Sequence, residues 1–182
     1  MEVKRIIKEA LPTLVLASTI SVFAGFLLNS SLTMGEVVGI LIITPPILSI
    51  GGDLGTTFGA RIATHLHSGL IEPRFGRIRL IYINFISLFM SGLLVSAISG
   101  VVAYFLRIVI DPTGHLSLVD FMILSLGAGS ILYVSILMLS LFIAFISFRR
   151  GLDPDNMVAP LISTTADLIG TGMIFVVLTF LT

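Results

Sequence analysis

The stretch ILSIGGDLGTTFGARIATH, residues 47–65, sets a carboxylate, Asp53, among glycines inside a long apolar region. No Lys, Arg or His lies within seven residues on either side of it. In water such an aspartate is unremarked. At the centre of a membrane helix it costs about 2.5–3.5 kcal/mol. Composition decides which setting applies. The chain has 182 residues, 56% of them hydrophobic and only 11% charged, with a mean hydropathy of +1.14. Soluble domains are typically about 25% charged. The chain therefore reads as an integral membrane protein surrounded by lipid, placed in the cell membrane as a multi-pass protein. Formal net charge is zero, so no basic bias points to nucleic acid. Cysteine is absent, which excludes disulfides and thiolate metal sites.

Working outward from Asp53, apolar runs fall at about 11–31, 36–70, 80–109, 120–147 and 157–181. Each is long enough to cross about 30 Å of hydrocarbon as a helix. None alternates at the period of two that barrel strands require. The expectation is an all-α integral membrane fold of five transmembrane helices, with residues 1–182 forming one transmembrane domain. Lys4, Arg5, Lys8, Arg74, Arg77, Arg79, Arg149 and Arg150, eight of the ten Lys and Arg, fall on one side of these spans. The positive-inside rule makes that side cytoplasmic, with the N-terminus inside and the C-terminus outside. The first apolar run is too long for the core of a signal peptide and reads as an uncleaved span.

Span two is over-long at 35 residues, about 52 Å as a helix against about 30 Å of hydrocarbon. Thr44-Pro45-Pro46 removes backbone donors, and the glycines of GGDLG loosen the turns that follow. A kink or interruption is expected there, facing protein or water rather than lipid.

Asp53 has a counterpart. Span five, APLISTTADLIGTGMIF, carries Asp167 about ten residues, about 15 Å, from its cytoplasmic start. Helical spacing gathers Ser163, Thr164, Asp167, Gly170 and Thr171 on one face, opposite Leu161, Ile162, Leu168 and Ile169. The same exercise in span two lines up Ser49, Asp53, Thr56, Thr57, Ala60, Thr64 and Ser68. One carboxylate among hydroxyls on each of two helices suits a hard cation. Mg²⁺ keeps several waters and takes one or two carboxylates rather than a full cage. Asp167, Asp53, Ser163, Thr164, Thr171 and Thr57 are the candidate metal-contacting residues.

Plainer readings compete. Stripes of small residues and hydroxyls also pack membrane helices together, and Gly51, Gly52 and Gly55 serve that role as readily as a pathway. Asp53 has Arg61 as a local ion-pair partner, but two turns away and about 80° round the helix. Arg61 reads better as a residue snorkelling to the cytoplasmic face. His65 and His67, two apart, read as polarity at a helix end rather than as metal ligands. Two membrane aspartates also allow an intramembrane aspartyl protease, and the whole chain a structural subunit of a larger complex.

At GGDLGTTFGARIATHLHSGLI and DPDNMVAPLISTTADLIGTGMIF the sequence resembles the MgtE-type magnesium transporters and the related animal solute-carrier magnesium transporters. The resemblance runs over essentially the whole chain. It implies a transporter rather than an enzyme, and a homodimer whose Mg²⁺ pore lies on the twofold axis, lined by spans two and five. It implies that Asp167 binds the ion with Ser163 one turn earlier. It sets Gly51, Gly52 and Asp53 on the family's Gly-Gly-Asn or Gly-Asn motif, with Asp in place of Asn. It also implies a single membrane half that pairs with a second copy and lacks cytoplasmic gating domains. In such a dimer, cysteines at Thr164 or Thr171 are expected to crosslink or to be protected from thiol reagents by Mg²⁺, and cysteines at Leu168 or Ile169 to do neither.

Overall fold

The computed structural model describes residues 37–71, 78–112 and 114–181, with 11, 12, 15, 16, 18–20 and 22. Among the described residues four helices are long and apolar enough to cross a membrane. They are spans two to five: Val37–His67, Ile78–Ile110, the composite Leu118–Arg149, and Pro154–Leu181. The expected first span at 11–31 falls largely outside the described residues, as do Lys4, Arg5, Lys8, Arg74 and Arg77.

Span two is central and packs against spans three, four and five. One side of it, Ile40, Ile43, Ile47, Phe58, Ile62 and Leu66, is buried. Phe58 meets Phe85 of span three edge to face, with ring centroids 6.1 Å apart. Span three gives the bundle its most lipid-like surface, with Leu94, Ile98, Val102 and Phe105 exposed. A pair of buried hydroxyls, Ser96 and Tyr133, hydrogen-bonds spans three and four to each other. This satisfies two polar groups that the apolar core would otherwise leave unpaired.

The expected interruption of span two does not occur. The helix runs unbroken through Pro45, Pro46 and the glycines. Two prolines remove two donors but leave the flanking turns intact, and the Thr44 hydroxyl donates to the Ile40 carbonyl at 2.7 Å. The irregular turn lies in span four instead, where Leu124–Ala128 forms a π segment between Leu118–Ile123 and Gly129–Arg149.

Helix ends follow local chemistry. Span four starts in a capping box: Ser117 Oγ accepts from the Asp120 amide at 3.3 Å, and Asp120 Oδ2 accepts from the Ser117 amide at 2.7 Å. Spans two and four stop alike. Gly69 and Gly151 both adopt φ of +69°. Leu70 N–H then reaches the His65 carbonyl at 3.0 Å, and Leu152 N–H the Ser147 carbonyl at 2.9 Å. Both are Schellman ends, which need a residue that accepts positive φ. At this same end of the bundle His67 stacks edge-on against Phe148, with centroids 5.4 Å apart, and its Nε2 lies 4.0 Å from Asp153 Oδ1. The two histidines thus sit in the last turn of span two, where end-of-helix polarity is expected.

At the opposite end Arg107 is buried and donates to the carbonyls of Gly114, at 2.9 Å, and Leu116. Its guanidinium also lies 5.6 Å from the Tyr104 ring centroid. One side chain thereby fixes the connection from span three to span four.

Candidate functional site

Span two shows two different faces to the rest of the molecule. The first is built from glycines spaced four apart. A methyl group on Gly55 would lie 2.3 Å from Ile136 Cγ2 and 2.4 Å from Ile162 Cγ2. One on Gly59 would lie 2.3 Å from Val158 Cγ1. No side chain fits at these two positions, and spans four and five approach the backbone of span two directly. The Ser140 hydroxyl, fully buried on span four, uses that approach to donate to the Gly55 carbonyl at 2.6 Å. Between close packing and a pathway role for these glycines, packing describes Gly51, Gly55 and Gly59.

The second face is polar and uncovered. Ser49, Asp53, Thr57, Ala60, Thr64 and Ser68 are exposed, and Thr56 is half-buried. The Thr56 hydroxyl donates back to the Gly52 carbonyl at 2.9 Å and Thr64 to that of Ala60 at 3.0 Å. Each hydroxyl oxygen keeps acceptor capacity toward the outside. The Asp53 carboxylate has no hydrogen-bond or ion-pair partner among the described residues. Arg61 turns elsewhere: its Nη1 donates to Asn84 Oδ1 of span three at 3.1 Å. The local ion pair that could have explained Asp53 is therefore not formed.

Span five runs antiparallel alongside. Leu48 packs on Gly170, Ile162 on Gly55 and Val158 on Gly59. This register sets Asp167 level with Ile50, so the two aspartates differ in depth by about three residues, or about 4–5 Å. A methyl on Gly52 would meet the Ser163 Cα at 3.7 Å, so the backbones touch one residue from Asp53. Ser163 is exposed and Asp167 half-buried.

The remaining members of the expected face of span five do not share this exposure. Thr164 and Thr171 are 8% and 3% exposed, and Gly170 lies under Leu48 and Leu132. Thr164 Oγ1 donates to the Pro160 carbonyl at 2.9 Å. The five positions fan over about 120° of the helix at 100° per residue, too wide an arc to stay on one side of a helix packed on its flanks. The structure therefore leaves Asp53, Thr57 and Ser163 exposed and Asp167 half-buried, and it buries Thr164 and Thr171.

Among the described residues no three His, Asp or Glu side chains converge. Among the described residues the acidic chemistry near the middle of the bundle is one carboxylate on each of spans two and five. Asn84 escaped the reading of the sequence. It is a lone amide in the apolar run LIYINFISLFM, and only the fold sets it opposite Arg61.

Residues 44–177, most of the chain, match the family MgtE, described as divalent cation transporter. Solute carrier family 41 member 2 of Homo sapiens is 30% identical over 173 residues, covering 87% of this chain and 29% of the relative. Solute carrier family 41 member 3 of Mus musculus is 29% identical over 191 residues, covering 94% of this chain and 38% of the relative. The chain thus spans about a third of the length of these relatives. No solved structure matches. A match of this extent means that the chain belongs to the MgtE family of divalent cation transporters, which are multi-pass membrane proteins and not enzymes.

Proposed function

We propose that the chain carries divalent cations, Mg²⁺ first, across the cell membrane as a homodimer. The polar edges of spans two and five of both copies face one water-filled path. The observation that carries this reading is the uncovered row from Ser49 to Ser68 on a membrane-crossing helix, with Asp53 unpartnered among the described residues. Lipid cannot satisfy such a row, whereas a second copy and a hydrated cation can.

Asp53 and Asp167 hold the ion through its waters, and Ser163 and Thr57 offer hydroxyl oxygens to the same shell. Thr164 and Thr171 stand behind them and support the wall. Around a twofold axis the aspartates become four. Such a cluster repels itself in a low dielectric until a divalent ion compensates it. The N-terminus lies in the cytoplasm in this arrangement, residues 1–182 act as one transmembrane domain, and the His67–Asp153 end is cytoplasmic.

The test is flux of Mg²⁺ into liposomes containing only this chain, alongside Asp53→Asn and Asp167→Asn. Flux in the native chain and its loss in folded variants support the reading. Absence of flux from a folded native dimer points to a structural subunit, and native flux in both variants removes the aspartates from the path.

A further inference from the structure

Arg61 is a permanent cation inside a membrane span, and its observed partner is a neutral amide. No carboxylate lies within ion-pair distance of it among the described residues. Asn84 is itself oriented, because its Nδ2 donates to the Leu80 carbonyl at 2.9 Å and its Oδ1 is thereby turned toward Arg61. Among the described residues the guanidinium is held in place by the amide and no carboxylate neutralises it. Were the purpose only to cross-brace spans two and three, an acid at position 84 would brace more strongly.

Its position gives the charge a use. Arg61 is exposed, on the flank of the polar row of span two. It follows Asp53 by eight residues, about 12 Å along the helix, and precedes the His67 end by about 9 Å. An ion moving between Asp53 and that end passes a fixed positive charge of the wall. We propose that Arg61, tethered by Asn84, sets how tightly the Asp53 region holds a divalent cation and how readily it releases the ion toward the His67–Asp153 end. The field acts on a divalent ion with twice the free energy it exerts on a monovalent one. It therefore weakens retention of the very ions the aspartates attract most. This inference rests on the reading of Asp53 as part of the cation path.

The experiment compares Mg²⁺ flux in liposomes for the native chain, Arg61→Gln, Arg61→Lys, Asn84→Asp and Asp53→Asn, at low and high ionic strength. Arg61→Gln removes the charge and the tether together. Asn84→Asp loses the donor to Leu80 but keeps an oxygen for Arg61, and it cancels the charge where it stands. Both are expected to lower the half-saturating Mg²⁺ concentration by about three- to tenfold and to slow the maximal rate, with the shift shrinking as salt screens the wall. Arg61→Lys keeps the charge and is expected to stay near the native chain.

Should Asn84→Asp behave as the native chain while Arg61→Gln and Arg61→Lys fail alike, Arg61 is a structural brace and the proposal falls. It falls also where Asp53→Asn impairs flux but Arg61→Gln and Asn84→Asp leave half-saturation unchanged. Native flux in Asp53→Asn overturns instead the reading beneath it. If Arg61→Gln does not fold, Asn84→Asp still decides.

Discussion

At the scale of single residues, exposure separates side chains that the sequence groups together. Ser163 and Thr164 are neighbours in a hydroxyl-rich run, yet one is exposed and the other buried with its hydroxyl returned to Pro160. Cysteine scanning reads this difference directly, since the native chain has no cysteine. Cysteines at Ser163 and Thr57 should react with small thiol reagents and be protected by Mg²⁺. Cysteines at Thr164 and Thr171 should react slowly with or without the ion. Equal reactivity at all four positions would contradict the separation. Asp53→Asn and Asp167→Asn should each cut Mg²⁺ flux by about tenfold or more, the factor that about 1.4 kcal/mol of lost ion binding produces. Both keep side-chain volume, so thermal stability in detergent should change little.

Among elements, span two is held by what its glycines lack. Gly55 lies against two β-branched side chains, Ile136 and Ile162, that have few rotamers to retreat into. Gly55→Ala should therefore destabilise the fold by about 1–3 kcal/mol through overpacking. Gly172 has nothing within 4 Å of the added carbon, so Gly172→Ala is its internal control and should be neutral or slightly stabilising. Thermal unfolding of both variants in one detergent checks the pair, and equal shifts would remove the close-approach account. At the head of span four, Ser117→Ala loses the capping box and should cost about 0.5–2 kcal/mol. The spans themselves were legible because long apolar runs leave a bilayer few alternatives, and spans two to five end within three residues of expectation. The integrity of span two was not legible. Proline and glycine report what the backbone permits, while the neighbours packed against the unbroken helix are distant in sequence.

For the whole molecule, the exposed polar row of span two is the feature that bears on assembly. Exposure on the other described surfaces is mostly apolar, as on span three at Leu94 and Phe105, and suits lipid. The row on span two does not. Single cysteines at Ser49 or Ala60 should crosslink one copy to another in membranes, whereas cysteines at Leu94 or Phe105 should not. Monomers that transport at full rate, or crosslinks confined to span three, would move the interface elsewhere. The two aspartates and the polar row of span two were readable from spacing alone, since carboxylates in apolar runs stand out. Which hydroxyls of span five are exposed was not. That depends on what the fold packs against each side chain, and helical spacing gives angles without saying what fills them.

The π segment at Leu124–Ala128 gives span four one residue more than an α-helix of the same rise would hold. Its flanks are both committed. Phe121 lies beside Gly100, and Leu132, Ile136 and Ser140 lie along Gly51, Gly55 and Gly59. The chain therefore has slack at one place in this span and none below it. Deleting Leu126 should close the wide turn into an ordinary one and leave both flanks seated. Deleting the exposed Met138 should swing everything after it by about 100° and prevent folding. Length in this membrane protein is a tolerated variable at one turn and a fixed quantity a few turns away.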